Sequence, residues 1–211
     1  MNWQDYFETM RDWKKLPAYK AEPRIDSLVG FHLQEIAGEY LGDKMRGIIP
    51  ELPIRLGTVK PTLDDKNYAD KSYKVDFFLA GASGRNYFVE FKTDSGSRRD
   101  AQDTYLAEAR EAGMRAIVEG IVRIASVSSY REKYDHLIAK LINLGLLSQD
   151  RQFKGPSDEI VIVYVQPRAL AGEESSQVID FPTVAHWLKT RPNGGPFETC
   201  FADALLAWSK D

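Results

Sequence analysis

Two acids and one base, Asp76, Glu90 and Lys92, are set into an otherwise apolar stretch, "YKVDFFLAGASGRNYFVEFKTD", spanning residues 73–94. The stretch has the pattern of a β-hairpin: an apolar run, a Gly-Ala-Ser-Gly-Arg-Asn turn and a second apolar run. Strand side chains alternate between faces, so Glu90 and Lys92 share one side. Antiparallel pairing across the turn would bring Asp76 toward Glu90 at one end of the sheet. Paired carboxylates repel, and burying them unpaired is costly. A hard cation such as Mg²⁺, with Mn²⁺ as its substitute, relieves both, because it takes oxygen ligands and is commonly held by one or two carboxylates plus water and phosphate oxygens. A lysine two residues after the second acid would orient a metal-bound water and offset charge on a phosphate under attack. That chemistry suits phosphodiester hydrolysis.

An acid, any residue, then lysine is a short pattern, and it occurs three times: Asp12 to Lys14, Asp64 to Lys66 and Glu90 to Lys92. Only the third lies in a strongly apolar run with an aspartate upstream on a neighbouring strand. The competing reading of Glu90 and Lys92 is a same-face ion pair on a solvated sheet.

The elements that would position these residues follow from periodicity. Residues 1–14 carry Trp3, Phe7 and Met10 at helical spacing, and this aromatic segment reads as a helix docking on its own core or, less simply, as a base-stacking surface. "LPAYKAEP", with Pro17 and Pro23, reads as a connector. A helix over 26–41 places Ile25, Val29, His32, Ile36 and Tyr40 on one stripe, with Glu35 and Glu39 near its margin. "PIRLGTVK" (53–60) has strand alternation. Strands at 72–80 and 86–92, helices at 100–125 and 130–144 with Gly145 as a stop, and a continuous β-branched strand at 159–165 complete the series. "QVIDF" reads as a short strand and "FETCFADALLAWSK" as a closing helix. The order predicts an α/β fold with a mixed sheet flanked by helices, in one domain over 1–211. Its core spans about 25–166, preceded by an N-terminal helical extension (1–22) and followed by a C-terminal addition (167–211).

With "VD" at 75–76 and "VEFK" at 89–92 inside that element order, the chain resembles the PD-(D/E)XK nuclease superfamily, whose core is the restriction endonuclease-like αβββαβ arrangement. The resemblance covers roughly residues 25–166. It implies that Asp76 and Glu90 bind a divalent metal and that Lys92 assists the attacking water. Val75 stands where the family name has proline, a position that varies. Many members add an acid from the first helix and RecB-like members a histidine there. His32, Glu35 and Glu39 are the candidates, with Glu35 preferred; the alternative is that the two acids are a solvated flank and His32 a satisfied, part-buried histidine. RecB-like members also carry a glutamine and a tyrosine four apart on the helix after the motif; Gln102 and Tyr105 here are three apart. Arg98 and Arg99, with Ser95 and Ser97, stand at a helix entrance suited to backbone phosphates, or form a capped start with a solvated basic pair.

Net charge is −3, which argues against electrostatics-led coating of nucleic acid without excluding a local basic groove. One cysteine, Cys200, excludes an internal disulfide or a multi-cysteine metal site and is expected to pack as a small apolar residue. No segment has the ~20 apolar residues of a membrane span, and the start lacks the pattern of a signal peptide. A cytoplasmic, Mg²⁺-dependent nuclease acting on DNA is the leading expectation; oligomeric state is not legible from the sequence, although members of the resembled family that cut both strands often form homodimers. A catalytically inactive nuclease-like fold serving as a nucleic-acid-binding or assembly module is the second, against which the retention of all three motif residues argues. An unrelated α/β domain whose acids only make ion pairs is the third.

Overall fold

The hairpin forms as its pattern predicts. In the structure, a computed structural model that describes residues 2–13, 16, 22–63, 69–94, 100–169 and 178–210, β2 (Ser72–Gly81) and β3 (Asn86–Phe91) are antiparallel. Their register runs from Ala80↔Asn86 to Phe77↔Val89, and Asp76 is the next residue of β2. Ahead of them lies β1 (Met45–Arg55), antiparallel to β2; after them come β4 (Ile160–Gln166) and β5 (Val178–Asp180), parallel to each other. The sheet order is β1-β2-β3-β4-β5, so the fold is α/β with a five-stranded mixed sheet. Among the described residues the helices are α1 (Trp3–Trp13), α2 (Glu22–Leu41), a single turn α3 (Leu56–Val59), α4 (Asp100–Val127), α5 (Arg131–Asn143), α6 (Phe181–Thr190) and α7 (Pro196–Trp208).

Three differences from the sequence expectations have physical causes. The strand expected at 53–60 instead occupies 45–55, and 56–59 is helical. Pro50 and Pro53 sit in β1, which lies at one end of the sheet order, where a missing N–H costs no ladder bond on the open side. Left-handed backbone at Glu51 (φ 53°) interrupts the alternation between them. Second, α2 starts at Glu22 rather than Asp26, with Pro23 in its first turn, where proline is tolerated. Third, α6 has no counterpart in the sequence pattern read above; Asp180 caps it by accepting the Thr183 N–H at 2.8 Å, with Pro182 in the first turn.

The chain folds as two compact units. One comprises 1–42, 90–98 and 163–211; the other comprises 43–89 and 99–162. In the first, α1 docks through Phe7, stacked on Phe201 at 5.3 Å, and Trp3, edge-on to Phe197 at 4.9 Å. The packing explanation of the aromatic N-terminal segment therefore holds for Trp3 and Phe7. The predicted stripe of α2 is equally clear: Ile25, Val29, His32 and Ile36 are buried, and Tyr40 is half-buried. In the second unit, α4 packs beside β1 and is broken at Gly113 (φ 81°, ψ 161°). There Met114 N–H donates to the Asp158 carbonyl at 2.9 Å and Arg115 N–H to its carboxylate. A Cβ at Gly113 would crowd that carboxylate, so glycine is required twice over. Gly145 (φ 73°) ends the turn after α5 as predicted.

Candidate functional site

In the first unit, Glu90 and Lys92 lie on one side of β3 and its continuation, with Phe91 turned the other way against the Phe181 ring at 5.9 Å. The backbone of Lys92 is pinned by its N–H, which donates to the Val165 carbonyl at 2.8 Å. Its ammonium donates to Glu90 Oε2 at 3.3 Å. Glu90 is 0 % exposed and the Lys92 side chain 3 %, so this is not a pair on a solvated face. A carboxylate in that position requires a cationic or hydrogen-bonding partner, because an isolated buried charge is strongly unfavourable.

A third charged group meets the pair. Glu22 Oε1, in the first turn of α2, is 3.8 Å from Lys92 Nζ, and its side chain is 35 % exposed. Sequence reading missed Glu22 because it lies inside the proline-bounded stretch taken for a connector. The preferred candidate, Glu35, lies thirteen residues further on, about 20 Å along a helix axis at 1.5 Å per residue. Its side chain is 66 % exposed and its Oε2 stands 3.7 Å from Arg191 Nη2. Glu39 is exposed.

His32 is 3 % exposed. Arg191 Nη1 is 2.6 Å from its Nδ1; a guanidinium only donates, so Nδ1 accepts and Nε2 carries the proton. Nε2 is buried with no hydrogen-bond partner. Burial first, and then the Arg191 charge, hold the imidazole below its ordinary pKa, with Glu198 and Glu35 opposing. His32 is thus a neutral acceptor for Arg191, whose guanidinium also stacks on Trp187 at 4.8 Å.

The second unit contains Asp76, half-buried on β2. Two residues before it, the Lys74 carbonyl accepts from the Tyr105 hydroxyl at 3.0 Å, and the Tyr105 ring stacks on Tyr73 at 4.7 Å. Tyr105 is buried and braces β2 from α4, while Gln102 is half-buried one turn earlier. Arg98 and Arg99, together with Ser95 and Ser97, lie outside the described residues, as do Lys14, Asp64, Lys66 and Pro17. Cys200 is half-buried on α7.

The oxygens of Glu90, with an ammonium beside them, are donors of the kind a hard divalent cation takes. Among the described residues no three His, Cys, Asp or Glu side chains gather into a metal-holding group. That excludes an all-protein cage built from them alone. Compared with protein-family models, curated proteins and solved structures, the chain matches none.

Proposed function

We propose that the protein is a Mg²⁺-dependent nuclease of the PD-(D/E)XK type, built on a restriction endonuclease-like core and acting on DNA. The observation that carries this reading is Glu90, a fully buried carboxylate answered at 3.3 Å by the buried ammonium of Lys92, two residues further along the chain. A purely structural position could be filled by an apolar side chain at no loss of stability. Glu90 would hold the cation, and Asp76 is the second carboxylate that the resemblance to the nuclease superfamily implies. When bound, it would lower the pKa of a coordinated water and polarise a phosphoryl oxygen. Lys92, already fixed through its backbone to Val165, would donate to the attacking water or to a phosphate oxygen. Tyr105 would keep the β2 backbone in place two residues from Asp76. Arg98 and Arg99 are proposed to neutralise backbone phosphates, and Gln102 to contact the same backbone.

The test is cleavage of plasmid and linear DNA by purified protein in Mg²⁺ or Mn²⁺, wild type against Glu90→Ala and Lys92→Ala. Loss of at least about a hundredfold in both variants is expected, the scale of removing one transition-state donor. Equal rates in all three would reject the assignment.

One observation favours a second reading, a nuclease-like module without catalysis: the Lys92 ammonium already neutralises Glu90. Calorimetric titration with Mg²⁺ separates the two, since heat of binding that disappears in Glu90→Gln supports the enzyme and its absence from wild type supports the module.

A further inference from the structure

Lys92 has two carboxylates within charge-pair distance, and they differ in kind. Glu90 is 0 % exposed and hydrogen-bonded at 3.3 Å; Glu22 is 35 % exposed and stands at 3.8 Å, short of a hydrogen bond. Both belong to the same unit as Lys92. A divalent cation arriving at Glu90 meets an ammonium already there, and two cations sharing one buried carboxylate repel. The lysine cannot simply be abandoned, because a side chain only 3 % exposed would carry its charge unpaired. It needs another acceptor within the reach of a side-chain rotation, and Glu22 Oε1 is that acceptor.

We propose that Glu22 is a second seat for the Lys92 ammonium, the carboxylate to which the lysine moves when a divalent cation takes its place at Glu90. The inference rests on the metal-site reading above and adds its regulation. Lys92 is the counter-ion of the metal-free protein, and Glu22 sets how readily that counter-ion yields. Glu22 is a positioning residue acting through Lys92, not a ligand of the cation. Its position in the first turn of α2 gives the ammonium a partly solvated destination.

A double-mutant cycle on the full chain tests this, with MnCl₂ alone as the titrant in calorimetry. Glu22→Gln is expected to weaken Mn²⁺ binding roughly five- to tenfold, within the range of coupling between neighbouring groups. In a Lys92→Met background the same change is expected to do nothing, since no ammonium remains to relocate. A loss of equal size in both backgrounds would mean that Glu22 touches the cation, and no loss in either would mean that it is a bystander; each overturns the proposal while leaving the metal site standing. Absence of saturable Mn²⁺ binding in every variant overturns the metal site and this proposal together. Should Lys92→Met fail to fold, the Lys92 ammonium resonance of ¹⁵N-labelled wild type gives the answer instead. Saturating Mg²⁺ is expected to shift it, and to accelerate its proton exchange in Glu22→Gln; a resonance that Mg²⁺ leaves unmoved overturns the relocation.

Discussion

Each unit of the protein buries a carboxylate, and the two are satisfied in opposite ways. In the second unit Asp43, 7 % exposed, accepts from Ser83 N–H at 3.0 Å, from Ser83 Oγ and from the Tyr87 hydroxyl at 2.9 Å. Burial pushes its pKa up, but these three donors and the Arg85 charge outweigh burial and hold the carboxyl below its ordinary value. In the first unit Glu90 has the ammonium of Lys92. Three fixed neutral donors make a staple: they tie the start of β1 to the β2–β3 turn, and nothing is gained by their leaving. An ammonium on a flexible stem is exchangeable for another cation. The lesson is that the two acids differ in the kind of partner more than in depth of burial, and the proposed function turns on that difference.

The largest effect expected of this contrast is on stability. Lys92→Met removes the ammonium hydrogen-bonded to the buried Glu90 and should cost up to about 3–5 kcal/mol in urea unfolding, whereas Lys92→Met/Glu90→Met should recover much of that. All four tryptophans, Trp3, Trp13, Trp187 and Trp208, fall in the unit that holds the pair, so their fluorescence reports it directly. Mg²⁺ should raise the unfolding midpoint of Lys92→Met more than that of wild type. A cost under about 1 kcal/mol, the range of an exposed pair, would break the comparison. Asp43→Asn comes next: it keeps an acceptor but loses the charge, at a cost of about 1–3 kcal/mol with no change in the response to Mg²⁺. Gly81→Ala should reproduce part of that loss, because a Cβ there collides with Asp43 Oδ2. A Mg²⁺ response altered in Asp43→Asn would show that the staple is not merely structural.

How far the sequence exposed this contrast depends on the range of the interactions. The hairpin was legible because its alternation and turn are local, and so was Gly145, whose left-handed backbone closes the turn it sits in. β1 was half legible: Pro50, Pro53 and the left-handed Glu51 hide an edge strand whose pairing with β2 is the real determinant. The break at Gly113 could not be read, since Asp158, which caps the second segment of α4, is distant in sequence. Of the site, Glu90 and Lys92 stood out as charges in an apolar run. Glu22 did not, because its only apparent context was a connector, and its relevance comes from where α2 begins. The missed α6 had a usable signal in Asp180-Phe181-Pro182-Thr183, an N-cap followed by a first-turn proline.

The smallest expected effect is acid sensitivity, and it separates the units by pH. His32 is held below its ordinary value of 6.5 chiefly by burial, so the folded first unit binds fewer protons than the unfolded chain once pH falls beneath about 6.5. Its contribution is therefore complete above that pH and lost as pH falls toward the depressed folded value. Protonation at Nδ1 would also remove the acceptor that Arg191 uses and set two cations 2.6 Å apart. The groups facing His32 are Arg191, Glu198 and Glu35; Glu198 is itself held low, chiefly by the Gly195 N–H at 2.8 Å, so it stays charged through this window and softens the effect without reversing it. The Asp43 staple obeys the same sign at lower pH: its contribution is present above 3.8, the ordinary carboxyl value, and is lost as pH falls through the depressed one. Tryptophan fluorescence should consequently lose its native signal at a higher pH than amide resonances of Ser83 and Tyr87, and His32→Gln should narrow the gap by removing the upper step. Coincident acid transitions in wild type would mean that the two units unfold together and that protonation of one group cannot be assigned to either.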